Sequence, residues 1–241
     1  MNYGKHVLAA ALWAVLAAPV CLAEEAPPPP VDQSYLADVC AAMRQPWPKN
    51  RIINIVCHGH SVPAGYFQTP KVDTFHAYPH LLHVGLKEKY PLAVINVIVT
   101  AIGGETSEGG AKRFEKDVLV FHPDVVLIDY GLNDRSIGLE KAAKALTFMI
   151  AKAKAQGAKV ILLTPTADLA SNLDDPKDPL SQQAALIRRL AKVYKVALVD
   201  SSAAFQKHVK DGGAMQDLMS QRNHPNEAGH KLVAEQLLRW F

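Results

Sequence analysis

The chain has 241 residues, 49% of them hydrophobic and 20% charged, with a mean hydropathy of +0.01. This composition excludes a disordered chain, a collagen and a coiled coil, and the length suits one domain of about 200 residues with a full core. Lys and Arg total 26 against 23 Asp and Glu, a net charge of +3 without a long basic run, so no nucleic-acid face is expected.

Residues 1–23 read as a signal peptide. Lys5 and His6 give a basic start, Val7 to Val20 is apolar, and Cys21-Leu22-Ala23 follows Pro19 at a plausible cleavage site. The apolar run, roughly 14 residues, is short of the ~20 a spanning helix needs. The alternatives are an uncleaved anchor and a lipoprotein processed at Cys21, but Ala18-Pro19-Val20 lacks the Leu and small residues such a site wants. No second apolar run approaches membrane length, so the mature chain is expected to be soluble, in the periplasm or outside the cell. In that compartment Cys40 and Cys57 are free either to pair or to stay as two buried thiols.

Residues 24–50 read as a spacer and a short N-terminal helix: Pro27–Pro30 is a stiff polyproline stretch, and a helix is expected over 34–44, before Pro46 and Pro48. From residue 51 to 241 strands and helices alternate. Near-continuous apolar, β-branched runs mark strands at 51–57, 92–100, 124–130, 159–164 and 196–199, the pattern of strands buried on both faces of a parallel sheet. Helices fill the gaps. One starts between Thr74 and Pro79 and runs to Lys89, with Leu81, Leu82 and Leu86 inward. The second spans 106–121, capped by Thr106 or Ser107. The third, over 139–156, lines up Ala142, Leu146, Met149, Ile150 and Ala153. The fourth carries Ile187, Leu190, Ala191 and Tyr194, and the last, from Asn226 to near Phe241, carries Leu232, Val233, Leu237 and Trp240. The fold expected is a three-layer α/β/α sandwich on a five-stranded parallel sheet, flavodoxin-like, with right-handed crossovers. Ligands in such sheets bind beyond the carboxyl ends of the strands.

Those ends carry chemistry. Gly59-His60-Ser61 follows the first strand, Gly103-Gly104-Glu105-Thr106 the second and Gly131-Leu132-Asn133-Asp134 the third, while Gln221-Arg222-Asn223-His224-Pro225 precedes the last helix. A serine hydroxyl needs a base to become a nucleophile, histidine titrates in the right range, and a developing oxyanion needs preorganised N–H donors. Ser61, His224, Gly104 and Asn133 are the residue types required.

The four blocks, in this order and over roughly residues 51–241, resemble those of the SGNH hydrolases, the GDSL-type esterases and lipases. The resemblance implies an esterase without a cofactor, with Ser61 as nucleophile, His224 as base, and the N–H groups of Ser61 and Gly104 with the Asn133 amide as oxyanion hole. Two positions depart from the family pattern: His60 stands where it has an Asp that scaffolds the turn, and Gln221 stands where its third triad member, Asp, belongs. A Gln oxygen can accept from His224 Nδ1–H but carries no charge. A backbone carbonyl, or Asp217, is the other candidate orienter.

The remaining readings are less specific. Tyr66, Phe67 and Tyr130 lie beside the expected site, where all three either line a substrate pocket, Tyr66 and Tyr130 foremost, or pack the core. Asp134 is expected to bind loop backbone. The loop 165–176 either borders the cleft or is simply solvated. The histidines His58, His60, His76, His80 and His83 raise a metal-dependent hydrolase as an alternative, but acidic partners near His58 are missing, and no metal is expected. The substrate class expected is a small-molecule or carbohydrate ester, with an O-acetyl sugar as one candidate. A non-catalytic carbohydrate-binding protein on the same fold is the other alternative, supported by the missing Asp. Oligomeric state stays open.

Overall fold

The computed structural model describes Asp32 and residues 34–241. The signal-peptide expectation and the polyproline stretch lie outside the described residues.

Five strands form one parallel sheet: β1 (Ile52–Gly59), β2 (Val94–Val99), β3 (Val125–Asp129), β4 (Lys159–Leu163) and β5 (Ala197–Val199), in the order β2-β1-β3-β4-β5. Alternation along each strand sends side chains to two cores. Ile53, Ile55 and Cys57 of β1 join Leu127 of β3 and Leu163 of β4 on one face. That face is covered by α1 (Ala37–Met43), α2 (Tyr78–Lys89), α6 (Ser201–Lys210) and α7 (Glu227–Leu238), through residues such as Met43, Leu82, Leu86, Phe205, Val233 and Leu237. Val56, Ile128, Val160 and Leu162 face the other way, under α3 (Ser107–Asp117), α4 (Gly138–Ala155) and α5 (Pro179–Tyr194). The inward rows expected for α4 and α5 are the buried ones, except that Tyr194 is only partly covered. This is the expected three-layer α/β/α sandwich.

Three differences have local causes. The second expected helix ends at Asp117 and continues as a 3-10 turn over Leu119–Phe121. Thr106 is its N-cap residue, one of the two expected, but makes no side-chain capping bond; Asp134 Oδ1 accepts the Ser107 N–H at 2.7 Å instead. Helix α6 was not read from the sequence, although Asp200 caps it by accepting from Ala203 N–H. Nor was the short antiparallel ribbon β6 (Met219–Gln221) and β7 (His224–Pro225), whose strands are too brief to show a period. Cys40 and Cys57 are both buried free thiols, with Cys40 Sγ donating to the Phe241 carbonyl.

The chain runs from β1 outward to β2, then back across β1 to β3. Consecutive connections therefore leave in opposite directions at the carboxyl ends of β1 and β3, which pair side by side with Gly59 opposite Asp129. A crevice opens where strand order reverses in this way. Among the described residues no helix is long and apolar enough to cross a membrane.

Candidate active site

Ser61 sits in a tight turn directly after β1. The turn is closed by Gly65 N–H to Val62 O at 3.0 Å and Tyr66 N–H to Ser61 O at 3.0 Å. His224 stands on β7, held between β6 and α7. Folding brings the two together over 163 positions of sequence: His224 Nε2 lies 2.9 Å from Ser61 Oγ. Both residues are almost fully buried, at 5% and 6% exposure.

On the far side of the imidazole, Nδ1 lies 2.8 Å from the Phe67 carbonyl oxygen. In the tautomer with the proton on Nδ1, that carbonyl accepts it and Nε2 presents its lone pair to the Ser61 hydroxyl. Burial holds His224 below its ordinary value of 6.5, with the Phe67 carbonyl pulling the other way. The ring is thus neutral at pH 7, as a general base must be.

Gln221 also reaches Nδ1, but with its nitrogen, at 2.8 Å. Its oxygen is taken by the Thr69 N–H at 3.0 Å, and its amide also donates to Asn223 Oδ1 at 3.0 Å. This corrects the expectation that the Gln221 oxygen accepts from Nδ1–H: the loop backbone at Thr69 claims that oxygen first. The ring is oriented by a backbone carbonyl. Asp217 serves elsewhere, accepting from Ala214 N–H and facing His208.

The donor side is built around a turn. Ile102 N–H is tied to Gly59 O at 3.0 Å, and Glu105 N–H closes back on Ile102 O at 3.2 Å. Gly104 inside this turn has φ +77°, a backbone that an L side chain adopts only at a cost of about 1–2 kcal/mol. Asn133 Nδ2 donates to Glu105 O at 3.0 Å, which uses one amide hydrogen and leaves the other. Asp134 binds loop backbone, as expected.

Tyr66 packs its ring 5.9 Å from that of His224, and its Cε2 and Cζ lie 3.0 Å from where a Cβ on Gly103 would sit. It therefore spans the gap between the imidazole and the glycine turn. Tyr130 does not line the cleft. It is fully buried, and its hydroxyl donates to Glu105 Oε2 at 2.7 Å, behind the turn. Its candidacy as a substrate contact is withdrawn on that ground. His58 is equally committed, to Thr100 Oγ1 at 2.9 Å and the Gly110 carbonyl at 3.3 Å. Among the described residues no three His, Cys, Asp or Glu side chains are grouped to hold a metal ion.

A family model for the GDSL-like lipases and acylhydrolases matches residues 57–232. The chain belongs to that family. An acetylxylan esterase of Geobacillus stearothermophilus is 27% identical over 166 residues, covering 64% of this chain and 75% of that protein. Esterase TesA of Pseudomonas aeruginosa is 36% identical over 95 residues, covering 38% of this chain and 46% of that one. A solved structure of the G. stearothermophilus acetylxylan esterase superposes with a TM-score of 0.68 at 25% identity, covering 78% of this chain and 93% of the other. LAE5, an alpha/beta hydrolase enzyme from the metagenome of Lake Arreo in Spain, gives 0.66 at 25% identity over 77% and 93%. As a GDSL-type hydrolase, the protein acts on ester bonds.

Two parts of this esterase's site were not legible in its sequence. The Phe67 carbonyl is backbone, and no residue type marks it. The loop after β4 is more than a solvated border: Thr166, Ala167 and Asp168 are buried, Asp168 binds Arg135 at 2.8 Å and Arg222 at 3.4 Å, and Leu169 N–H donates to Arg222 O at 2.7 Å. The loop thus braces the turn that precedes His224. An Asp between Ala167 and Leu169, with arginines near the other motifs, was the available signal.

Proposed function

We propose that the protein is an exported serine esterase that removes small acyl groups, acetate foremost, from carbohydrate through a Ser61 acyl-enzyme. The observation that carries the mechanism is the 2.9 Å contact from His224 Nε2 to Ser61 Oγ, with Nδ1 turned to a carbonyl.

His224 takes the Ser61 proton as Oγ attacks the ester carbonyl. The oxyanion is received by the N–H groups of Ser61 and Gly104 and by the second amide hydrogen of Asn133. His224 then returns the proton to the departing alcohol, leaving acyl-Ser61. Water, deprotonated by the same imidazole, attacks that acyl group; the carboxylic acid leaves and Ser61 is restored. No step calls for a cofactor. Support for the carbohydrate ester comes from the acetylxylan esterase relatives. Support for export is the basic, apolar and small-residue succession in residues 1–23.

A fluorophosphonate probe is expected to label the folded protein but not Ser61→Ala. Acetylated xylo-oligosaccharides are expected to lose acetate faster than p-nitrophenyl palmitate is cleaved. Labelling that survives Ser61→Ala overturns the mechanism, and a preference for palmitate overturns the substrate. N-terminal sequencing of chain recovered from the periplasm or medium is expected to begin near Glu24; an intact Met1 there overturns cleavage.

A further inference from the structure

Glu105 joins three things behind the glycine turn. Its N–H closes the turn on Ile102 O, and its carbonyl holds one hydrogen of the Asn133 amide at 3.0 Å. Its carboxylate is gripped by Arg113 of α3, with Nε 2.7 Å from Oε1 and Nη2 2.5 Å from Oε2. Tyr130 donates its hydroxyl to Oε2 at 2.7 Å.

The chain of contacts goes further inward. Gly110 O accepts, so His58 Nε2 is the protonated nitrogen, and the Tyr130 oxygen, 3.2 Å from it, can share that hydrogen. His58 Nδ1 then accepts from the Thr100 hydroxyl at 2.9 Å. Every polar atom along Thr100, His58, Tyr130, Glu105 and Arg113 has a partner of the right kind. The fit is tight: a Cβ on Gly110 would lie 2.0 Å from the Tyr130 oxygen.

The Glu105 and Arg113 side chains are only 12% and 15% exposed. Burying an ion pair returns little net stability, because desolvation offsets the attraction. What a two-pronged guanidinium does return is direction: it fixes the carboxylate in two dimensions rather than one. Here the fixed side chain belongs to the residue whose backbone carbonyl aims Asn133 and whose N–H closes the turn holding Gly104.

We propose that Arg113 and Tyr130 are positioning residues for the oxyanion hole, acting through Glu105 on the Asn133 amide and the Gly104 N–H. This rests on the serine-esterase reading above. Misplacing a catalytic donor by about 1 Å costs on the order of 100-fold in rate, and the loss appears where the donor works, in the transition state.

The test uses the full chain with p-nitrophenyl acetate as substrate and phenylboronic acid as a tetrahedral mimic bonded to Ser61. For Arg113→Met, kcat is expected to fall about 30-fold with KM within two-fold, and phenylboronic acid to bind weaker by a similar factor. Arg113→Lys keeps the charge without the fork and is expected to lose about 10-fold, and Tyr130→Phe about three-fold. Should Arg113→Met fail to fold, Arg113→Lys and Glu105→Gln, which keeps the shape, carry the same test. An active wild type with unchanged kcat in the folded Arg113 variants, or a loss that falls wholly in KM, overturns the inference. A wild type that releases no p-nitrophenol removes the esterase reading and this inference with it.

Discussion

Gln221 turns its amide nitrogen, not its oxygen, to His224 Nδ1, at 2.8 Å. A protonated Nδ1 shared with the Phe67 carbonyl finds no acceptor there. In the proposed mechanism the main chain alone then favours the Nδ1–H tautomer, and the imidazolium formed during acylation would meet a carbonyl dipole rather than a carboxylate. In the Ser-His-Asp arrangement the acid both fixes the tautomer and stabilises that charge. Here the first task is kept and the second is weakened.

Replacing Gln221 by Glu tests this. A carboxylate in the same place can accept from both the Thr69 N–H and His224 Nδ1–H. The added negative charge raises the His224 pKa. A base works only when neutral, so the acid limb of kcat/KM moves to higher pH. Above that limb, stabilisation of the imidazolium is expected to raise kcat by about 10-fold. In the wild type, where burial holds His224 below 6.5, the limb is expected to fall below that pH. Unchanged kcat and an unmoved limb in Gln221→Glu reject this account.

The donor cluster yields its own prediction. Asn133→Ala removes one oxyanion donor and is expected to lower kcat on p-nitrophenyl acetate by ~100- to 1000-fold with little change in KM. A drop below about five-fold sinks the role assigned to Asn133.

How much of this was legible in the sequence follows from where the information sits. The apolar runs at 51–57, 124–130 and 159–164 announced buried parallel strands, because both their faces had to be apolar. The proposed site residues Ser61, Gly104, Asn133 and His224 were legible because the roles proposed for them rest on side chains, or the lack of one, and because each falls at a strand end or before a helix. Phe67 was not, since its contribution is a carbonyl that any residue carries. Tyr130 was misread: adjacency to the site in sequence did not say which face of the sheet end its ring would take. The orientation of Gln221 was decided by a loop residue, Thr69, 152 positions away.

Tyr66 closes the space between the imidazole and Gly103. Tyr66→Ala opens that wall. Uniform contact with substrate is lost, so KM is expected to rise about five- to ten-fold while kcat stays within about three-fold. Water also reaches His224, so its pKa moves back towards 6.5 and the acid limb shifts upward. Steady-state kinetics between pH 5 and 8 read both effects. Unaltered KM together with an unmoved limb contradicts the placement of Tyr66.

Acid should destabilise the fold through buried imidazoles. Burial holds His58 at about 4, and His60 and His230 at about 3, against an ordinary 6.5. As pH falls below 6.5, the unfolded chain binds protons that these rings refuse, so stability is lost down towards the folded-state values. Asp129 opposes this. Burial raises its pKa to about 7 from 3.8, so the folded chain takes its proton first, and acidification across that window favours folding. Three depressed histidines outweigh one raised carboxyl. Each pKa unit is worth ~1.4 kcal/mol, which gives a net loss of roughly 5 kcal/mol between pH 6.5 and 4.5. For a chain of this size the thermal midpoint is then expected to fall by about 10–20 °C. His230 accepts the Tyr78 N–H at 3.2 Å and lies against Phe67, so His230→Phe keeps the ring contact while removing one titration. That variant is expected to be less stable at pH 7, yet to lose less on acidification, with the shift in midpoint reduced by roughly a half. A midpoint that is flat from pH 7 to 4.5 in the wild type, or an equal slope in His230→Phe, defeats the account.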